Sequence, residues 1–184
     1  MKLQKLRNNL NIIPMKVNRI AKIIIGLVLV ISNVSCDQIT KNSVRKNIDS
    51  SERIEVVNDN FILTKVENTG VALGFGADFH PNVKLIIFQL LPIVVLLYMF
   101  FYLMKKEEIS AFNFIAITFI IGGGIGNIMD RMLFNSVTDF MYLEIGPFHT
   151  GIFNMADVSV TIGAIGIIVN SFKVKTKLHQ KVSL

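Results

Sequence analysis

The sequence predicts an all-α polytopic membrane protein, with four transmembrane helices and a small β-sheet element outside the bilayer. Three observations carry this. Of 184 residues, 52% are hydrophobic and only 17% charged, a balance too apolar for an ordinary soluble domain. The apolar residues are clustered in four blocks, Ile20 to Val34, Val83 to Met104, Ala111 to Ile128 and Val158 to Phe172. The basic residues are segregated: 12 of 19 lie before or, as Lys22 does, at the start of the first block, between the second and third, or after the fourth, where only Glu107 and Glu108 accompany them. The other 7 share the opposite side with 11 acidic residues. The net charge of +6 is therefore a topological signal and not a nucleic-acid one. An excess of Lys and Arg marks the cytoplasmic side, which puts both termini and the short middle loop inside and the acidic segments outside.

In chain order, residues 1–19 form a basic cytoplasmic extension interrupted by Pro14, and residues 20–172 form one four-helix membrane domain. The first block is short and leans on its polar ends. It closes on Ser35-Cys36, which superficially matches a lipoprotein-type processing site. Asn33, three residues before the cysteine, is not aliphatic, so the segment is expected to be retained as the first helix. Cys36 is the only cysteine, which excludes an internal disulfide. Asp37-Gln38-Ile39-Thr40-Lys41 continues the helix beyond the membrane. Arg53 to Val57 and Phe61 to Val66 alternate apolar with polar residues around Asn58-Asp59-Asn60, which predicts a hairpin. Asn68 to Gly76 is too glycine-rich for a helix and is expected to be a loop folded against the membrane surface. Pro81 marks the approach to the second span, whose 22 residues suffice to cross about 30 Å of hydrocarbon. The third span ends in Gly122-Gly123-Gly124-Ile125-Gly126, whose small-xxx-small spacing suits close helix packing. A loop from Met132 to Phe153 returns to the fourth span. Residues 173–184 form a basic cytoplasmic tail, a charge anchor on an anionic surface.

The chemistry concentrates where the spans meet water on the outer side. Asn127, Asp130 and Arg131 follow i, i+3, i+4 spacing and share a helix face. An ion pair with Arg131 is the structural reading of Asp130. Asn127 has a donor and an acceptor with which to orient a carboxyl. Asp139 lies between Val137 and Phe140, a half-buried setting that raises a carboxyl pKa; its plain alternative is the start of a turn. Asp157 falls third in a helix capped by Asn154, where a carboxylate complements the dipole for roughly 0.3–1 kcal/mol, so it could be a capping device only. Taken alone, each aspartate is more readily structural. Together, Asn127, Asp139, Asn154 and Asp157 map to one outer interface, and ionisable groups at membrane depth point to function. Two carboxylates sharing one proton are the equipment of an aspartic protease.

Rival chemistries fit less well. No His-Glu-x-x-His occurs, and His149 among carboxylates is a poor zinc set. His80 and His149 are expected in solvent-facing loops. There is no Gly-x-Ser-x-Gly, and Cys36 has no nearby histidine. A small transporter would place carboxylates at mid-membrane in two matching halves, whereas these cluster at one edge.

Five patches resemble the bacterial lipoprotein signal peptidase (signal peptidase II) family: Asp37-Gln38-Ile39-Thr40-Lys41, Asn68-Thr69-Gly70-Val71-Ala72-Leu73, Gly123 to Arg131, Val137-Thr138-Asp139-Phe140 and Phe153-Asn154-Met155-Ala156-Asp157. They span about residues 20 to 172, in order. The resemblance implies a metal-free membrane aspartic endopeptidase of the bacterial inner membrane, which cuts prolipoprotein signal peptides just before a diacylglyceryl-modified cysteine and is blocked by globomycin. It implies Asp139 and Asp157 as the catalytic pair. Asp37, Lys41, Asn68, Gly70, Asn127, Asp130, Arg131 and Asn154 would shape the site and hold substrate. It further implies a small outer sheet with a surface helix, contact with membrane lipids, no cofactor, and action as a monomer. One departure is Asn135, where the family usually has glycine four residues before the first catalytic aspartate; asparagine tolerates positive φ best among the alternatives.

Overall fold

In a computed structural model, residues 18–182 are described, the last ten of them, 173–182, by their backbone alone. The basic extension before residue 18 and the charges of the tail thus lie outside the described residues. Four helices carry the fold: α1 (Arg19–Asn47), α2 (Pro81–Lys105), α3 (Ala111–Phe134) and α4 (Met155–Val182). Each contains a stretch long and apolar enough to cross a membrane. Their outer faces are lipid-like: Ile31, Val94, Tyr98 and Ile165 are all exposed. Inside, Val30, Leu103, Phe114, Ile117 and Ile121 are packed together. With no water to drive burial, such packing relies on close backbone approach. The glycine run supplies it. A Cβ on Gly122 would meet Asn33 of α1, and one on Gly123 would strike the Ala156 carbonyl of α4.

The helices extend beyond their apolar cores. Asn18 accepts the Ala21 amide to start α1, and Ser110 accepts the Asn113 amide to start α3. Helix α1 continues without a break through Asp37 and Lys41 to Asn47. Inside α2, residues Leu85–Leu90 form a π turn just before Pro92. Proline has no N–H to give and its ring crowds the carbonyl four residues back, so the helix widens there. Helix α3 ends on Asn135 at φ 58° and ψ 10°, the left-handed cap that asparagine accepts at lower cost than most residues.

The sheet is larger than a hairpin. Strands β1 (Arg53–Val57) and β2 (Phe61–Asn68) form the predicted pair. The segment expected to be a loop after α3 instead forms β3 (Val137–Ile145) and β4 (Phe148–His149), giving an antiparallel order β1-β2-β3-β4. Val137 to Tyr142 alternates less cleanly than a surface strand because its first five residues are buried on both faces. Asp139 therefore sits within a strand, not at the start of a turn. The glycine-rich tract after β2 is the expected loop, and of the surface helix that the resemblance implies it holds only one 3-10 turn, Ala72–Gly74. Positive φ at Leu73, Gly74 and Gly76 prevents anything longer. Beneath the sheet, Val44, Ile48, Phe140 and Met141 form a second core joining it to α1.

Candidate functional site

Where α1, α3, α4 and the sheet meet, three asparagines are each locked by their carbonyl oxygen and offer their amide to a carboxylate. Lys41 starts the chain. Its ammonium is fully buried and places its three donors on Asp37 at 2.9 Å, Asp130 at 3.1 Å and the Asn127 Oδ1 at 2.9 Å. That last bond fixes which way the Asn127 amide points. Its Nδ2 consequently donates to Asp157 Oδ1 at 2.8 Å. Asn154 caps α4: its Oδ1 accepts the Asp157 amide at 3.0 Å, while its own backbone N–H donates to Asp157 Oδ2 at 3.1 Å. This reciprocal arrangement is a capping box. With its oxygen so held, the Asn154 Nδ2 donates to Asp139 Oδ1 at 2.6 Å and to Asn127 Oδ1 at 3.2 Å. Asn68 completes the set. Its Oδ1 accepts the Gly70 amide at 2.9 Å, and its Nδ2 donates to Asp139 Oδ2 at 2.9 Å.

Asp139 and Asp157 are thus linked through Asn154, with all four carboxylate oxygens held by one donor each. A carboxylate has about four acceptor directions, so each oxygen retains capacity toward the open side. Both line a cavity of about 600 Å³ whose walls include Leu73, Pro92, Ile128, Phe153 and Val160. Asp139 is 4% exposed, and Asp157 is half-buried. Burial pushes the Asp139 carboxyl up from 3.8 to about 6; the Asp157 charge adds to this, while the Asn68 and Asn154 hydrogen bonds and Lys41 oppose it. Such a carboxyl is poised to hold or release a proton near neutrality.

Arg131 departs from the sequence expectation. It does not pair with Asp130. Its guanidinium reaches across the cavity mouth to the Gly70 carbonyl at 3.0 Å and back to the Asn127 carbonyl at 3.3 Å, within the field of Asp139 and Asp157. Gly70 is needed there because a Cβ would strike the Phe75 carbonyl. Asp130 turns the other way. It pairs with Lys41 and, at 2.8 Å, with Arg45, and accepts the Thr138 amide at 3.2 Å. Asp37 accepts the Ala156 amide at 2.8 Å, which ties α1 to the start of α4. Asp37, Asp130, Lys41 and Arg45 form a charge-balanced buried cluster, the condition under which such charges are tolerated.

All ten residues singled out in the sequence converge on this site: Asp37, Lys41, Asn68, Gly70, Asn127, Asp130, Arg131, Asn154 and the two aspartates. Four more that carry it were missed. Gln38 donates to Asp130 and to the Gly126 carbonyl. Arg45 donates to Thr138 at 2.8 Å, and Thr138 donates to Glu67 at 2.8 Å. Arg45 lies eight residues after Asp37, on the same helical face, and that periodicity was the available signal. Thr138 and Glu67 are register partners across β2 and β3, a pairing no linear motif contains. His80 and His149 are exposed and neither lines the cavity, although His149 lies in strand β4 and not in the loop expected for it; among the described residues no three His, Cys, Asp or Glu side chains are grouped to hold a metal.

Comparison with known proteins places these features in context. A family model described as Signal peptidase (SPase) II, Peptidase_A8, matches residues 24–173. A lipoprotein signal peptidase of Maridesulfovibrio salexigens is 33% identical over 150 residues, covering 82% of this chain and 96% of that protein. One from Borreliella burgdorferi is 33% identical over 160 residues, covering 84% and 93%. Among solved structures, a bacterial membrane enzyme determined by the in meso method at 2.3 Å resolution superposes with a TM-score of 0.72 at 29% identity, over 80% of this chain and 87% of that one.

Proposed function

The chain belongs to the signal peptidase II family, multi-pass membrane aspartic endopeptidases that remove lipoprotein signal peptides, and we propose that Asp139 and Asp157 are its catalytic pair. The observation that carries this is the asparagine-held junction of the two carboxylates on one cavity wall. Asp139, the carboxyl pushed up by burial, acts in its protonated form and donates a hydrogen bond to the scissile carbonyl. Ionised Asp157 takes a proton from water as that water attacks the carbonyl carbon. On collapse of the tetrahedral intermediate, Asp157 returns its proton to the leaving amine and Asp139 recovers its own.

The scissile bond lies just before a diacylglyceryl-modified cysteine. The apolar flank of the cavity, with Leu73, Pro92 and Val160, accepts the lipid, which gains about 0.8 kcal/mol per buried CH₂. Asn68, Gly70, Asn127, Arg131 and Asn154 hold peptide and carboxylates in register, while Asp37, Lys41 and Asp130 brace them from behind. The basic asymmetry of the chain supports cytoplasmic termini and a site at the extracytoplasmic face of the bacterial inner membrane, with a monomer as the working unit and globomycin as an inhibitor. The test is purified protein incubated with diacylglyceryl-modified prolipoprotein. Asp139→Asn and Asp157→Asn should each abolish cleavage, and excess chelator should leave it intact. Full cleavage by either variant would sink the assignment.

A further inference from the structure

At the opposite end of the bundle lies a second pocket, of about 400 Å³, lined by Arg19, Lys22, Met104, Lys105, Lys106 and Glu107. Lys22 precedes Asp37 by fifteen residues of one helix, a separation of about 22 Å, so this pocket and the aspartates lie toward opposite ends of the helix bundle. Four basic groups against one carboxylate leave it strongly positive. Lys22 is the unusual member. Its side chain is 7% exposed, its ammonium stands 5.9 Å over the Phe114 ring, and it donates to the Lys106 carbonyl at 2.5 Å. Capping the end of α2 uses one of its three donors; among the described residues it has no carboxylate partner. A lysine serving only as a helix cap could be long-stemmed and solvated. This one is withdrawn between two spans beside an aromatic face and a methionine. Tyr102, which accepts the Lys106 ammonium at 2.6 Å, is the kind of side chain found at a bilayer interface.

We propose that this pocket binds the phosphodiester headgroup of an anionic phospholipid, with Lys22 at its floor and Arg19 and Lys105 at its rim. Basic pockets between spans are suited to such headgroups. Ile20 and Ile24, two residues either side of Lys22 on α1, and Phe101, one turn before Lys105 on α2, are exposed apolar residues on which acyl chains could lie. The inference requires only that the helices span a bilayer and is independent of the peptidase assignment. Protein purified in neutral detergent would be examined by native mass spectrometry with phosphatidylglycerol, phosphatidylcholine or inorganic phosphate added. Retention of phosphatidylglycerol but not phosphatidylcholine is expected. Arg19→Gln combined with Lys105→Gln removes two exposed charges and should lower that affinity about 30-fold, the equivalent of about 2 kcal/mol. Its thermal unfolding and prolipoprotein cleavage should remain those of the parent. Equal retention of both lipids, or undiminished phosphatidylglycerol binding by the double variant, would overturn the proposal. Displacement of phosphatidylglycerol by inorganic phosphate at matched concentration would overturn the lipid as ligand in favour of the free anion.

Discussion

Replacing Asp139 by asparagine should make the protein inactive and, at neutral pH, more stable relative to the parent than it is in acid. The carboxyl is pushed up to about 6 in the folded protein, against 3.8 ordinarily, chiefly by burial. As pH rises from 3.8 to 6, the unfolded chain releases this proton while the folded one retains it. The folded state then binds more protons, so stability falls through that window and the loss is complete above it. The gap corresponds to about 3 kcal/mol at 1.36 kcal/mol per pK step. Asparagine imitates the protonated acid: one of its two ends must face an amide donor, from Asn68 or Asn154, as a protonated oxygen would. That misfit is the same at every pH and cancels when two pH values are compared. Unfolding free energies of parent and Asp139→Asn, measured in one detergent at pH 3.5 and pH 8, should therefore differ by a term that moves by about 3 kcal/mol in favour of the variant. A difference that stays constant, or moves the other way, would show that burial does not raise the Asp139 carboxyl, and the division of labour between the aspartates would fail with it.

Asn154→Ala removes a helix cap and a donor to Asp139. A stability loss of about 1–2 kcal/mol is expected from the cap, and loss of the donor should move the Asp139 carboxyl above about 6, so the alkaline limit of cleavage should shift to higher pH in a pH–rate profile. Lys41→Met leaves Asp37 and Asp130 buried without their shared ammonium, for a loss of about 3–5 kcal/mol, although Arg45 still pairs with Asp130; kcat should also collapse because Asn127 loses its orientation, measured well below the unfolding temperature. Gly126→Ala would place a Cβ 2.5 Å from Asp37 Oδ2; overpacking of about 1–3 kcal/mol should appear as a lowered Tm.

Much of this was legible in the linear chain. Four apolar blocks, the sided distribution of lysine and arginine, the hairpin around Asn58 to Asn60, and the Asn154 cap with Asp157 at its third position all depend on local periodicity or on contacts within a turn, which sequence spacing encodes directly. Asn135 was readable for the same reason, because a helix stop at positive φ selects among very few residues. Partnerships across the bundle were not. Arg131 follows Asp130 in sequence, yet successive helical residues point about 100° apart, so one faces the cavity and Gly70 while the other faces Lys41. The tract after α3 looked like a loop because most of its strand pairs with β2, from Asn68 opposite Val137 to Phe61 opposite Leu143, far back in the chain, and its buried faces erase the alternation that would have announced it. Residue types thus dictated which groups are present and which helix each rides on. The tertiary structure alone decided which amide meets which carboxylate, because the direction of the Asn127 amide is set by an ammonium eighty-six residues away in the chain.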